Sequence, residues 1–99
     1  MKIVITGHKR GIGKAISDYF NNNKNKIIGF SISDGYDISD EQTRLYILSE
    51  CLDADIFVNN AYKDQYQYIL LEKVCDIWKN TNKKIINISS RYTSDDTDY

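Results

Sequence analysis

Proline is absent from the 99 residues, histidine and tryptophan each occur once, and cysteine occurs only twice. Cys51 and Cys75 stand far apart, with no C-x-x-C pair and no histidine cluster, a pattern that fits neither a metal site nor a disulfide framework. Both are expected to be reduced helix residues. Long apolar runs are missing too: none approaches the roughly 18 residues of a membrane span, and Lys2 is followed at once by strand-like residues rather than by a secretory signal. The expected location is therefore cytoplasmic, with no membrane partner. Thirteen basic residues balance fourteen acidic ones for a net charge of −1, so the basic stripe of a general nucleic-acid binder is lacking. The missing proline, alongside abundant Asn, Lys, Ile and Tyr, points to an AT-rich genome and carries no mechanism.

What remains is an ordinary globular composition, 41% apolar and 27% charged, with neither an internal repeat nor a low-complexity linker. A chain of this length supports one core, burying roughly 60–65% of its unfolded surface, and leaves no room for a separate substrate domain. The expected organisation is one domain over residues 1–90 and a polar, acidic tail over 91–99.

The densest information lies in Thr6-Gly7-His8-Lys9-Arg10-Gly11-Ile12-Gly13, which joins the apolar run Ile3-Val4-Ile5 to an amphipathic segment. Glycines at a strand-to-helix junction permit a tight turn and close ligand approach, while free N–H groups of the first helical turn suit a phosphate. Lys2–Thr6 is expected to be a buried strand. Gly11–Asn23 reads as a helix whose core face is Ile12, Ala15, Ile16, Tyr19 and Phe20, and Lys26–Ser31 as a second strand completing a βαβ unit.

Beyond it, Tyr36–Ile38 is a candidate third strand, and Ser39 with Gln42 forms a capping-box pattern for a helix to Leu52 with Leu45, Leu48 and Leu52 on one face. Ala54–Asn60 is the next strand. Asp64 is the expected N-cap of a helix over Gln65–Asn80, with Leu70, Leu71, Val74, Ile77 and Trp78 facing the core; Lys84–Ser89 is the last strand. Strands alternating with helices predict an α/β fold, a Rossmann-like three-layer sandwich with a parallel sheet of about five strands in the order 3-2-1-4-5.

The glycine stretch is not a P-loop. Five residues rather than four separate Gly7 from Gly13, and Ala15 stands where a hydroxyl would meet Mg²⁺. Its spacing also differs from G-x-G-x-x-G. The pattern T-G-x-x-x-G-x-G, matched by Thr6, Gly7, Gly11 and Gly13, resembles the nucleotide loop of the short-chain dehydrogenase/reductase family. Asp37-Ile38 is similar to that family's acidic-aliphatic pair beside the adenine, Asn59-Asn60-Ala61 to its N-N-A-G segment with Tyr62 in place of the glycine, and Asn87-Ile88-Ser89-Ser90 to its strand 5 ending.

The resemblance implies an oxidoreductase that transfers hydride to or from a nicotinamide cofactor. On it, Thr6, Gly7, Arg10, Gly11, Ile12, Gly13, Ser31, Asp37, Ile38, Asn59, Asn60 and Ala61 form the cofactor site, and Ser90 is the catalytic serine that polarises a small substrate's carbonyl. Amides around Gly11–Gly13 would hold the pyrophosphate, and Asp37 would accept a bond from the adenine amino group. Arg10 resembles the basic residue of NADP-using members. Ser31-Ile32-Ser33, where NAD users place an acidic residue, tolerates a phosphate, so NADP is expected over NAD; Asp34 turned towards the ribose would reverse that.

Departures from the family pattern are equally legible. None of the eight tyrosines has a lysine four positions on, so the family's Tyr-x-x-x-Lys pair is missing from these residues, and neither Tyr92 nor Tyr99 has a visible partner to lower its pKa. The link from the second strand to Asp37 has no room for the usual helix, and the segment from Asn59 to Ser90 is short. A non-catalytic nucleotide-binding or assembly module is the alternative reading, and a structural protein whose loop has lost its ligand is a third. His8 is expected to be solvent-exposed rather than a base. Strand 5 would be an exposed edge needing cover from the tail, from more chain or from another subunit, and a homo-oligomer is the expectation.

Overall fold

The computed structural model describes residues 1–88. Its strands are β1 (Lys2–Thr6), β2 (Lys26–Phe30), β3 (Ile56–Asn59) and β4 (Lys84–Asn87), and its helices are α1 (Gly11–Asn22), α2 (Glu41–Cys51) and α3 (Tyr66–Ile77). All strand pairs are parallel, in the order β2-β1-β3-β4. The register sets Ile3 against Ile27 and Ile56, and Val4 against Ile28 and Phe57.

Because successive side chains alternate between faces, this register builds two apolar layers. Ile3, Ile5, Ile56 and Val58 pack with Ile16 and Phe20 of α1. Val4 and Phe57 face the other way, into Ile47 and Cys51 of α2 and Leu70, Val74 and Trp78 beside α3. The parallel sheet is thus sandwiched between one helix and two. Fully burying each such side chain contributes about 1.5–3 kcal/mol relative to exposure, which outweighs the propensities of any single helix. Among the described residues no helix is long and apolar enough to cross a membrane.

Several expectations give way to local chemistry. The short strand at Tyr36–Ile38 does not form, so the sheet has four described strands and the five-strand order is not realised. A 3₁₀ turn at Ile32–Asp34 ends in Gly35 at φ +92°, and Asp37 Oδ1 then accepts hydrogen bonds from the Ser39 N–H and Oγ, at 2.9 and 2.8 Å. These contacts turn the chain instead of extending it. Ser39 is consequently not the cap of α2; Asp40 is, accepting from the Gln42 N–H and from Thr43 Oγ1.

The core faces shift as well. In α1 the inward positions are Gly13, Ile16 and Phe20, while Ile12 and Tyr19 are exposed. In α2 they are Thr43, Ile47 and Cys51, while Leu45 and Leu52 are exposed. The reason is visible at the end of α2: Trp78 Nε1 donates to the Cys51 carbonyl at 2.9 Å and Lys83 Nζ to the Leu52 carbonyl at 3.1 Å. These bonds satisfy carbonyls that a helix end leaves open and turn the Cys51 side inward. In α3, Gln67 joins Leu70, Val74 and Trp78 in the buried set, and Ile77 is exposed. Asp64 has φ +48° and does not cap α3, whose N-cap is Gln65. Both cysteines are free, Cys51 buried and Cys75 exposed.

Candidate functional site

In a parallel sheet every strand delivers its following connection to the same edge. The connections after β1, β2 and β3 therefore meet, and β1 lies between β2, reached through α1 on one face, and β3, reached after α2 on the other. Such a reversal of direction opens a crevice beyond the carboxyl ends of the strands. A cavity of about 630 Å³ lies at that edge, within the roughly 300–1,000 Å³ of small-molecule sites.

Its walls come from all three connections. Gly7, Lys9 and Arg10 follow β1; Ser31, Ile32, Ser33, Tyr36, Asp37 and Ile38 follow β2, beside Phe30 at its end; Asn60, Ala61, Tyr62 and Lys63 follow β3. Of the residues expected from sequence, Gly7, Arg10, Ser31, Asp37, Ile38, Asn60 and Ala61 are brought together here. Thr6, Asn59 and Gly13 lie behind the wall, and Gly11 and Ile12 are exposed at the start of α1 and do not line the cavity. Ser90, with Ser89 and the tail, lies outside the described residues.

The residues behind the wall fix its shape. Thr6 Oγ1 accepts from the Asn60 and Ala61 N–H groups at 3.1 and 3.0 Å, tying the end of β1 to the turn after β3. Asn60 Nδ2 donates to the Gly7 carbonyl at 3.0 Å. A Cβ on Gly13 would strike that same carbonyl and stand 2.5 Å from Asn60 Nδ2, so only glycine lets α1 start this close to the loop. Gly7 itself has φ +68°. Asn59 Nδ2 donates to the Gln67 carbonyl and to Asn87 Oδ1, both at 2.9 Å, while Gln67 Nε2 returns bonds to the Asn59 and Ile88 carbonyls. This buried amide exchange clamps the ends of β3 and β4 to α3.

Among the described residues, no acidic side chain of the first turn and no cap side chain occupies the start of α1. Its N-cap, Arg10, makes no side-chain cap bond and its first turn contains no acidic residue, in contrast to α2 with Asp40 and Glu41. The amides of that turn carry the positive end of the helix dipole. Along the opposite wall, Phe30 and Tyr36 meet edge to face at 5.1 Å between centroids, backed by Tyr46. Arg44 Nη1 donates to the Ile38 carbonyl at 3.0 Å and fixes the strip beside Asp37. The two hydrogen bonds from Ser39 hold the Asp37 carboxyl below its ordinary pKa, and both fall on Oδ1.

Three features were not expected from sequence. His8 is half-buried, not solvent-exposed: its ring lies over Gly29, where a Cβ would stand within 2.5 Å of ring atoms, and its Nδ1 is buried with no partner among the described residues. Lys9 lines the cavity and pairs with Asp34 at 2.8 Å. Lys63, like Lys9 and Arg10, lines the cavity. The signals were modest: Lys9 sits within the glycine loop, and Lys63 directly follows the Asn-Asn-Ala-Tyr segment.

Comparison with known proteins gives no match: no family model, no curated protein and no solved structure corresponds to this chain.

Proposed function

We propose that this chain is a Rossmann-like, NAD(P)-binding domain of short-chain dehydrogenase/reductase type, which takes NADP(H) in preference to NAD(H). The observation that carries the reading is the convergence of the glycine loop, Asp37-Ile38 and Asn60-Ala61 on one cavity at the sheet's reversal point. The residues fit such a group: the cavity offers Gly7 for close backbone approach, Arg10 and Lys9 for a 2′-phosphate, and an apolar wall ending at Asp37 for a base, and the uncapped start of α1, next to Arg10 and outside the lining, would take a pyrophosphate. When bound, the cofactor would supply hydride at its nicotinamide. The chain's own part is to hold and orient it, with Ser90 as the group that would polarise a substrate carbonyl.

A second reading is favoured by one observation, the link from β2 to Asp37, which holds only the 3₁₀ turn Ile32–Asp34 where the family has a helix. On it the same site binds a nucleotide without catalysis, as a sensing or assembly module. Calorimetric titration with NADPH, NADH and ATP tests the shared core of both readings. NADPH should bind about tenfold more tightly than NADH, the difference expected of a charge-assisted contact, and Arg10→Ala should reduce the difference. Equal wild-type affinities would remove Arg10's role; absence of binding by all three would overturn the nucleotide site.

A further inference from the structure

Of the large apolar side chains that line the cavity, Phe30 and Ile38 are buried in the core, and Tyr36 packs edge to face on Phe30 and Tyr46. Ile32 and Tyr62 are not used by the fold in this way: 63% and 47% of their surfaces are exposed. Single exposed apolar side chains are ordinary on a protein, but these two line one cavity from different connections, those after β2 and β3. We propose that Tyr62 and Ile32 form a clamp for the base of the bound nucleotide, Tyr62 stacking on its flat face and Ile32 adding apolar contact. This rests on the nucleotide reading above and extends it to two residues outside its cofactor site.

Both residues belong to the Asp37 end of the cavity, where the reading puts the base. Ile32 is on the same link as Asp37. The Asp37 carboxyl is held below its ordinary pKa first by the Ser39 hydrogen bonds and further by the charge of Lys63, which brings the residue after Tyr62 close to it. The backbone on either side of Tyr62 is fixed: the Ala61 N–H donates to Thr6 Oγ1 at 3.0 Å, and the Lys63 carbonyl accepts from the Tyr66 N–H at 2.9 Å. Ile32 is tied into its 3₁₀ turn, its carbonyl accepting from the Gly35 N–H at 3.0 Å. Exposed apolar side chains on fixed backbone lose little further freedom when a ligand covers them. A base presents an apolar face as well as a polar edge. Asp37 suits the edge, whereas stacking on a tyrosine ring tolerates any base, so Tyr62 supplies affinity and leaves the choice of base to Asp37.

The experiment titrates ADP, which carries the base without the nicotinamide, and NADPH into wild type, Tyr62→Phe, Tyr62→Ala and Ile32→Ala by calorimetry, with urea melts to check folding. Both side chains are exposed, so neither alanine opens the core. Tyr62→Ala should weaken ADP about tenfold, within the range of base–aromatic stacking, and Ile32→Ala about threefold, while Tyr62→Phe keeps the ring and should stay within about twofold of wild type. Three results overturn the inference alone: a Tyr62→Ala variant as tight as wild type, a loss in Tyr62→Phe equal to that in Tyr62→Ala, or wild-type binding of NADPH without binding of ADP, which would place the affinity away from the base. An Ile32→Ala variant as tight as wild type would remove the clamp's second side. Failure of wild type to bind either nucleotide would overturn the nucleotide reading, and the inference with it.

Discussion

His8 and Gly29 occupy one space between them. The imidazole lies where any side chain at position 29 would project, and the collision would be with a side chain, which can swing away, rather than with backbone. Gly29→Ala should therefore destabilise the fold by about 1–3 kcal/mol, as overpacking does, by driving the ring out of its seat. In a His8→Ala background the same change should cost much less, so a double-mutant cycle by urea unfolding should give a clear coupling between the two positions. Additive effects would show that the ring does not hold its place against Gly29. Neither half of this pair was legible in the sequence, because Gly29 read as one residue of a strand and His8 as one of a loop. The relation arises only when β1 and β2 lie side by side. Gly7 and Gly13 were legible, since a glycine needed for backbone approach leaves a spacing that survives without any contact information.

At the scale of elements, legibility depended on how many alternatives the local chemistry offered. Strand β1 matched its expected limits because a β-branched run between Lys2 and Thr6 leaves no rival. The link from β2 to α2 carries Ser33, Asp34, Asp37, Ser39 and Asp40, and such residues compete for the same backbone amides. Ser39 was taken by Asp37, and Asp40 then became the cap. Helix α2 was misread for a related reason: it has apolar residues on more than one side, so periodicity alone does not choose between Leu45 and Ile47. The Asp37 turn has a pH signature. Its folded pKa lies below the ordinary 3.8 because Ser39 donates to the ionised carboxylate. The stabilisation is therefore present above the unfolded-state value and is lost as pH falls through the lower folded one. Wild type should be more stable than Asp37→Asn at neutral pH, and the gap should close below about pH 4 in urea melts. A gap independent of pH would mean the carboxylate's charge contributes nothing there.

For the whole molecule, the core is centred on β1 and β3, whose residues are almost all buried, and thins towards β4. Of β4, Lys84, Ile86 and Asn87 are exposed, and Ile86 presents 36% of its surface on the face that α1 covers elsewhere. Its outer side pairs with no other described strand. An edge of this kind templates pairing with another chain unless something blunts it, and Lys84 is the one charged residue along it. The homo-oligomer proposed from the sequence is argued most simply as a second copy meeting this edge, where an isologous contact would continue the sheet across a two-fold axis. Sedimentation equilibrium at high loading should then give a mass above the 11.5 kDa of one chain. Ile86→Glu, which adds charge at the contact while leaving the core over β1 and β3 untouched, should return it to the monomer. A wild-type monomer under the same conditions would remove the second copy as the edge's partner, and a multimer indifferent to Ile86→Glu would move the interface elsewhere.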